Sequence, residues 1–212
     1  MLSGGAPNLS HEFALRGRGF ARIAGVDEVG RGSLAGPVVA AAVVLPLDSS
    51  DMIGALRGCR DSKKLPAERR LALDAVIRDV ALAVGVSFVP RSVIDRRGIA
   101  AASRLAMHGA IRALALPPDA LLIDAFALKR CRHTQVAFPK ADEQSLSVAA
   151  ASIVAKVRRD AWMTTLARRF PEYGFERHKG YGTREHLEAL RRFGPSPVHR
   201  QSFAPIAVNG IC

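Results

Sequence analysis

Cysteines are few and scattered in this sequence. Its 212 residues contain three, Cys59, Cys131 and Cys212, with no CxxC pair and no Cys/His spacing typical of metal ligands. An odd, widely spaced set excludes a disulfide framework and a zinc site of the usual pattern. This usage favours a reducing cytosol, so we expect a cytoplasmic location.

Long apolar segments are also missing. The longest run, residues 34–47, is too short to span a bilayer and is interrupted by glycine and proline. The first 20 residues carry His11, Glu12 and two arginines without an apolar core, so they do not resemble a secretory signal. We therefore expect no membrane association.

Acidic residues are in the minority. Lys and Arg number 31 against 19 Asp and Glu, which gives a net charge of +12. Such an excess favours polyanionic partners, nucleic acid first, although a solvated arginine-rich surface would explain the same composition. With 49% hydrophobic and 24% charged residues, the chain has the composition of a globular domain.

The hydrophobic pattern predicts one α/β domain. Residues 1–20 are expected to form a flexible tail, and residues 21–212 a single domain that is helical from about residue 160 onward. Strands are predicted at residues 23–28, 38–45, 81–89, 120–125 and 135–139. Helices are predicted at residues 66–79, 99–116, 145–170 and 183–193, and a loop at 48–64.

Residues 23–37, IAGVDEVGRGSLAGP, place two adjacent carboxylates directly before a glycine-rich basic turn. Neighbouring strand residues point to opposite faces, so Asp27 and Glu28 can share one site only where the strand is ending. The glycines that follow allow another backbone to come close, and their N–H groups could face a sugar hydroxyl or a phosphate. The alternative is a solvated polar turn.

Two further acids follow predicted buried elements. Asp124 ends the strand at residues 120–125, and Asp142 stands just before the long helix. If the first and fourth strands are neighbours, three or four carboxylates converge, and their repulsion favours protonation unless cations neutralise them. Two divalent ions, Mg²⁺ or Mn²⁺, would do so and would support phosphodiester hydrolysis. Alternatively, Asp124 caps the strand and Asp142 caps the helix, each satisfied locally.

Six ordered blocks of the sequence carry a family resemblance. They are IAGVDEVGRGSLAGPVVAAAVVL, DSKKL, LLIDA, KADEQSLSVAAASIVAKVRRD, YGFERHKGYGT and VHRQSFAP. Together they resemble bacterial ribonuclease HII, the type 2 RNase H family, in order from Arg22 to Pro205. The resemblance implies an α/β RNase H-like fold, with a mixed central β-sheet flanked by helices and a helical C-terminal extension.

The resemblance also implies the site. It assigns the catalytic, metal-binding carboxylates to Asp27, Glu28, Asp124 and Asp142. It places a GRG motif that contacts the ribose 2′-hydroxyl at Gly30, Arg31 and Gly32, and a phosphate-contacting segment at Ser62, Lys63 and Lys64. Tyr181 of the KGYGT motif is expected to pack against the sugar of the next deoxynucleotide.

The implied activity is that of a monomeric endoribonuclease of DNA replication and repair, dependent on Mn²⁺ or Mg²⁺. It would hydrolyse the RNA strand of RNA–DNA hybrids and cut 5′ of ribonucleotides embedded in duplex DNA. A two-metal-ion mechanism would leave 3′-hydroxyl and 5′-phosphate ends. Such a nuclease has to read the 2′-hydroxyl, because that group distinguishes RNA from DNA.

Two positions depart from the family pattern. Ala141 stands where a glycine is expected before Asp142, and residues 125–130 lack the glycine often found after Asp124. Neither change removes a ligand. Both concern the loop geometry around these two acids, and with it the spacing and preference of the metals.

Two other functions stay open at this point. An integrase or junction resolvase of the same fold would also gather acids for two metals, but it would not need to read a 2′-hydroxyl. A non-catalytic RNA-binding protein would share the basic charge, yet it would have no reason to gather four carboxylates against its ligand.

Histidine and tryptophan add little to these functions. His178, His186 and His199 lack the spacing of a metal site, so we expect surface or hydrogen-bonding roles. Trp162, the only tryptophan, lies in the long predicted helix and is expected to pack rather than to stack on a base.

Overall fold

The computed structural model describes residues 6–59 and 62–207, including all five predicted strands. They are β1 (Ile23–Val29), β2 (Val38–Val44), β3 (Ala83–Val89), β4 (Ala120–Asp124) and β5 (Thr134–Phe138). Their ends lie within a few residues of the predicted ones. The strand assignment from apolar and β-branched segments is therefore confirmed.

Eight α-helices surround these strands in the described residues. They are α1 (Ser10–Arg16), α2 (Ser50–Ala55), α3 (Ala67–Val80), α4 (Arg91–Arg97), α5 (Ile99–Arg112), α6 (Leu146–Arg169), α7 (Phe175–His178) and α8 (Arg184–Phe193). The predicted loop at residues 48–64 is wrong in part, because it contains α2. The Ser49 hydroxyl accepts a hydrogen bond from the Met52 N–H at 3.2 Å and so caps the start of this short helix.

The five strands form one mixed sheet in the order β3-β2-β1-β4-β5. The hairpin from β1 to β2 and the next pair, β2 to β3, are antiparallel, whereas β4 runs parallel to β1 and β5 parallel to β4. The start of β4 is fixed to the start of β1, where the Asp119 carboxylate accepts from the Arg22 backbone and guanidinium at 2.6–3.3 Å. The expected neighbours, β1 and β4, are thus paired.

Strand alternation divides the core between the two faces of the sheet. Val39, Ala41 and Val43 pack with α6 on one face, and the intervening residues of β2 pack with α5 on the other. Helix α6 comes so close to β1 that a Cβ on Gly25 would lie 2.1 Å from the Ser147 carbonyl carbon. Glycine at this position therefore sets the distance between the helix and the sheet.

A third, smaller core forms the helical C-terminal extension. It gathers residues of α6 and α8 around Tyr173 and Phe175 and contacts the β1–β2 loop through Leu34. Within the described residues, none of the helices is long and apolar enough to cross a membrane.

The expected flexible tail contains α1, and this helix is packed on the domain. The Glu12 side chain is fully buried, and its Oε1 accepts hydrogen bonds from the Ser145 hydroxyl, the Ser147 hydroxyl and the Ser147 N–H at 2.6, 2.6 and 2.9 Å. Asn8 adds two backbone hydrogen bonds to the same segment. A carboxylate is favourable here because the first turn of α6 has unpaired N–H groups.

We expect Glu12→Ala to lower the free energy of unfolding by roughly 2–4 kcal/mol, because three donors at the start of α6 lose a charged acceptor. Urea unfolding measures this loss. The matched control is Glu68→Ala, since Glu68 is exposed on α3. Equal stability of the two variants would show that α1 does not hold α6.

Candidate active site

The four predicted acids lie at the carboxyl ends of β1 and β4 and at the start of α6. Val26 pairs with Ile123, so Asp27 and Asp124 follow at the same level of two neighbouring parallel strands. Asp142 lies in the short turn of 3₁₀-helix between β5 and α6. Glu28 occupies the next position of β1. The convergence expected from the sequence is present in the fold.

Each of three carboxylates has a polar contact of its own. Asp27 accepts from the Glu28 N–H at 2.7 Å and from the Ser152 hydroxyl of α6. The Glu28 carboxylate pairs with Arg31 at 3.0 Å. Asp124 Oδ1 accepts from the Ala141 N–H at 2.8 Å, which ties the end of β4 to the turn that carries Asp142.

Burial and neighbouring carboxylates shift two of the acids, Asp27 and Glu28, toward protonation. Burial raises the pKa of Asp27 well above its usual range, and the carboxylates of Glu28, Asp124 and Asp142 raise it further. The pKa of Glu28 is also raised, again mainly by burial, although Arg31 opposes the shift. A group of acids with this property favours a cation between them.

The donor set fits a hard divalent cation, because it offers carboxylate oxygens alone. As the side chains lie, however, no three His, Cys, Asp or Glu residues within the described ranges form a ready metal site. Asp27, Glu28 and Asp124 each turn one carboxylate oxygen toward an N–H or a guanidinium of the chain. The effect of the other three acids on the pKa of Asp27 indicates that the four carboxylates are close together. Their oxygens nevertheless do not surround a single metal position.

The two glycines of the GRG motif differ in their surroundings. Gly30 has φ +90°, and a Cβ there would lie 2.1 Å from the Arg159 side chain. Gly32 lies in open space with no atom within 4 Å of such a Cβ. Gly30 is therefore required by the fold. The fold does not require glycine at position 32, so only a bound molecule would need it there.

Two fully buried arginines hold the loop that contains this motif. Arg200 donates to the carbonyls of Gly30, Arg31 and Gly36 at 2.7, 2.8 and 3.1 Å. Burial, with a contribution from Arg159, lowers the pKa of Arg200 to about 9. Three carbonyl dipoles thus stabilise this guanidinium.

Arg159 links the same loop to the segment that carries Tyr181. It donates to the carbonyls of Ala35, Pro37 and Lys179 at 3.0–3.2 Å, and its guanidinium lies 5.4 Å from the centre of the Tyr181 ring. Backbone pairing between Leu34 and Gly180 adds to the link. The structure therefore brings the GRG loop and the tyrosine together.

The three histidines are buried behind Tyr181, where His186 bonds to His199 and His178 stacks on His186. His186 Nδ1 lies 2.9 Å from the Tyr181 carbonyl, so it carries the proton, and Nε2 then accepts from His199 Nε2–H at 3.0 Å. His199 Nδ1 accepts from the Ser196 N–H at 2.9 Å. His178 Nδ1 accepts from the Gly180 N–H. The expected hydrogen-bonding role is confirmed, and the alternative of a surface role is wrong.

The segment expected to contact phosphate is only partly turned outward. Ser62 is 2% exposed and bonds to Ser152 at 2.9 Å, the same serine that contacts Asp27. Lys63 is exposed and has an interaction partner. Lys64 ends the 3₁₀-helix, and its side chain lies outside the described part of the structure. Ser62 therefore supports Asp27 from inside the protein.

The two departures from the family pattern have different consequences. Ala125 adopts φ +68°, the left-handed conformation that favours glycine, so its methyl group is strained by about 1 kcal/mol. Ala141 is fully buried in the 3₁₀-helix and does not have a positive φ, whereas the preceding Lys140 does. Of the two substituted positions, only Ala125 is itself in the left-handed conformation, whereas on the Asp142 side that conformation falls on Lys140.

Sequence reasoning missed Arg159 and Arg200 as members of the site. Both lie in blocks that carry the family resemblance, KVRRD and VHRQSFAP. The only available signal was their place in those blocks, because an arginine bound to carbonyls and a solvated one look alike in a sequence.

Comparison with known proteins gives consistent results. The sequence model of the family described as Ribonuclease HII matches residues 24–206. Ribonuclease HII of Geobacillus kaustophilus is 52% identical over 93% of this chain and 74% of its own, and that of Chloroflexus aurantiacus 51% over 94% of each. The crystal structure of ribonuclease H2 from Pyrococcus horikoshii has a TM-score of 0.73 at 27% identity, covering 88% of this chain and 96% of that one.

Arg200→Lys is expected to destabilise the protein by roughly 2–4 kcal/mol, because one ammonium group cannot reach three carbonyls. Thermal and urea unfolding measure the loss, with exposed Arg192→Lys on α8 as the control. If the two variants were equally stable, Arg200 would not be holding the loop.

The contribution of His186 and His199 to stability is expected to fall as the pH drops from about 6.5 to 4, against the opposite effect of the raised pKa values of Asp27 and Glu28. Burial lowers the pKa of His186 and of His199 to about 4 from the usual 6.5. The unfolded chain therefore takes up protons first, and the stability present above pH 6.5 is lost toward pH 4, by on the order of 2–5 kcal/mol for the pair. Urea unfolding between pH 7.5 and 5, with the imidazole NMR shifts, checks this; ring titration near 6.5 would contradict it.

Proposed function

Because the chain belongs to the ribonuclease HII family, and is thus a nuclease of the RNase H type, we propose that it reads the junction between RNA and DNA. In this proposal it cuts the RNA strand of RNA–DNA hybrids and cuts 5′ of ribonucleotides embedded in duplex DNA. The products carry 3′-hydroxyl and 5′-phosphate ends. The cytoplasmic location and the monomeric state stay predictions.

One observation carries the proposal: an acid group and a loop suited to sugar recognition adjoin in one fold. Asp27 and Glu28 lie near the end of β1, and Gly30 to Gly32 follow that strand in the loop that Arg200 and Arg159 hold. Tyr181 pairs with Ser33 of that loop. A phosphodiester beside the acids would therefore have its sugar beside the loop.

Asp27, Glu28, Asp124 and Asp142 are the residues that would hold divalent ions. Bound there, such ions would lower the pKa of an attacking water and stabilise the charge that develops on the leaving oxygen. The chain itself would position the acids through Ser152 and the Ala141 N–H, which contact Asp27 and Asp124. The choice between Mn²⁺ and Mg²⁺ is not determined by an oxygen-only donor set.

The loop geometry suggests how a ribonucleotide would be distinguished. Arg200 donates to the carbonyls of Gly30 and Arg31 and fixes the loop backbone, so that the N–H groups of the loop could donate to a hydroxyl or a phosphate. The open space at Gly32 admits a sugar close to the backbone. The flat ring of Tyr181, supported by Arg159, would then favour a sugar without a 2′-hydroxyl on the next nucleotide.

The first test is cleavage of a DNA duplex with one embedded ribonucleotide, in Mn²⁺ or Mg²⁺. We expect a cut 5′ of the ribonucleotide and none in an all-DNA duplex. Asp124→Asn should lower the rate by about 100-fold or more, since it removes a ligand charge yet keeps the acceptor for the Ala141 N–H. Asp51→Asn, an exposed acid on α2, is the matched control. Cleavage of all-DNA substrate would indicate an integrase or resolvase activity instead.

Gly32→Ala tests the sugar contact without disturbing the fold, because no atom of the chain lies near the added methyl group. We expect normal stability, and a fall in cleavage by about tenfold or more if a substrate sugar approaches that backbone. Gly30→Ala is the contrasting variant and should lose stability as well, because its methyl group meets Arg159. Unchanged cleavage by Gly32→Ala would exclude the proposed sugar contact.

A further inference from the structure

A groove beside the edge strand of the sheet is not used by the proposed nuclease site. Val84, Val86 and Phe88 of β3 form its floor, Trp162 of α6 forms a wall, and Arg78 and Arg158 line it as well. It is open and has a volume of about 500 Å³. We call this feature the β3–α6 groove. It lies two strands away from β1, at a lateral distance of about 10 Å.

The groove exposes two large aromatic side chains. Trp162 is 49% exposed and Phe88 39%, and their ring centres are 5.4 Å apart. The expected packing role of Trp162 therefore holds only in part, because about half of the residue is exposed. Exposed aromatic residues that adjoin an apolar floor are typical of interaction sites.

The α6 side of the groove is an unpartnered helix face. Arg158, Ala161, Trp162 and Thr165 have the spacing of one helical stripe, and all four are exposed. The opposite side is the free edge of β3, which pairs with β2 alone among the described strands. An extended segment could add to this edge while its side chains meet the stripe.

The charge of the groove indicates an acidic occupant. Arg158 has no ion pair with any described residue. Arg78 pairs with Asp74 through Nε and its Nη2 is buried, so Arg158 supplies most of the charge that an occupant would meet. The net charge of +12 acts in the same direction. A second copy of the chain would bring like charges together at this place.

The spacing of the stripe defines the occupant further. Arg158 and Trp162 are four residues apart on the helix, which is about 6 Å along its axis. Alternate residues of a strand point to the same face and are about 6.8 Å apart. A carboxylate and an aromatic ring separated by one residue of an extended segment therefore match Arg158 and Trp162.

We propose that the β3–α6 groove binds an extended acidic segment of a partner protein, in which an aromatic residue and an acidic residue are separated by one position. The segment lies along β3 with its ring against Trp162 and Phe88 and its carboxylate at Arg158. This binding is independent of the carboxylate site, so it would attach the enzyme to a partner without occupying the site where nucleic acid is cut.

Trp162 reports directly on the groove because it is the only tryptophan. The probe is the blocked peptide Ac-Asp-Thr-Phe-Thr-Asp-NH₂, with a Phe→Ala peptide and an Asp→Lys peptide as controls. We expect a saturable change of Trp162 emission with the acidic probe and an affinity lower by about tenfold for either control peptide.

Arg158→Ala should weaken binding of the acidic probe by about tenfold and leave ribonucleotide cleavage unchanged. Arg168→Ala, which changes an exposed arginine on the same helix outside the groove, should alter neither probe binding nor cleavage. Equal affinity for acidic and basic probes, or no effect of Arg158→Ala, would overturn the proposal.

Two further outcomes would assign the groove to another occupant and so overturn the proposal. A larger emission change with a poly-dT oligonucleotide than with the acidic probe would make it a nucleic-acid surface. Emission that depends on protein concentration alone, with a matching change in sedimentation, would make it a contact between two copies.

Discussion

The proposed active site depends on two buried positive charges that are satisfied by backbone carbonyls. A buried guanidinium is stable only when its donors are paired. Arg159 and Arg200 donate to six carbonyls, five of them within residues 30–37 and one at Lys179. The loop therefore cannot change shape without leaving a buried charge unpaired. This constraint fixes the backbone that follows the first two acids.

The acids are under the opposite constraint. Four carboxylates near the ends of β1 and β4 repel one another, and burial adds to the cost of their charge. Small contacts hold them: a serine of α6 for Asp27, an arginine for Glu28, a backbone N–H for Asp124. The loop of residues 30–37, where a sugar would bind, is thus held by many hydrogen bonds. The acids, whose charge divalent ions would neutralise, are held by few.

The sequence predicted the parts of this arrangement that depend on pattern. Apolar runs located the five strands, and the acids at strand ends predicted which side chains would converge. It did not predict α2, which depends on a cap at Ser49, or the packed helix α1, whose Glu12 looks solvated in a sequence. Nor could it show that Ser62 points inward or that Arg159 and Arg200 are buried. These features depend on long-range contacts that no local pattern records.

The parallel pairing of β1 with β4 has a consequence for the order of folding. The first contacts of that pair join Arg22 to Asp119 across 97 positions, and Glu12 reaches Ser145 across 133. Contacts of such large sequence separation form late, because the entropy of loop closure must be overcome first. During synthesis the antiparallel unit of β1, β2 and β3 leaves the ribosome before β4 is made. The four acids therefore come together late in folding, when β4 and the turn before α6 join strands that are already paired.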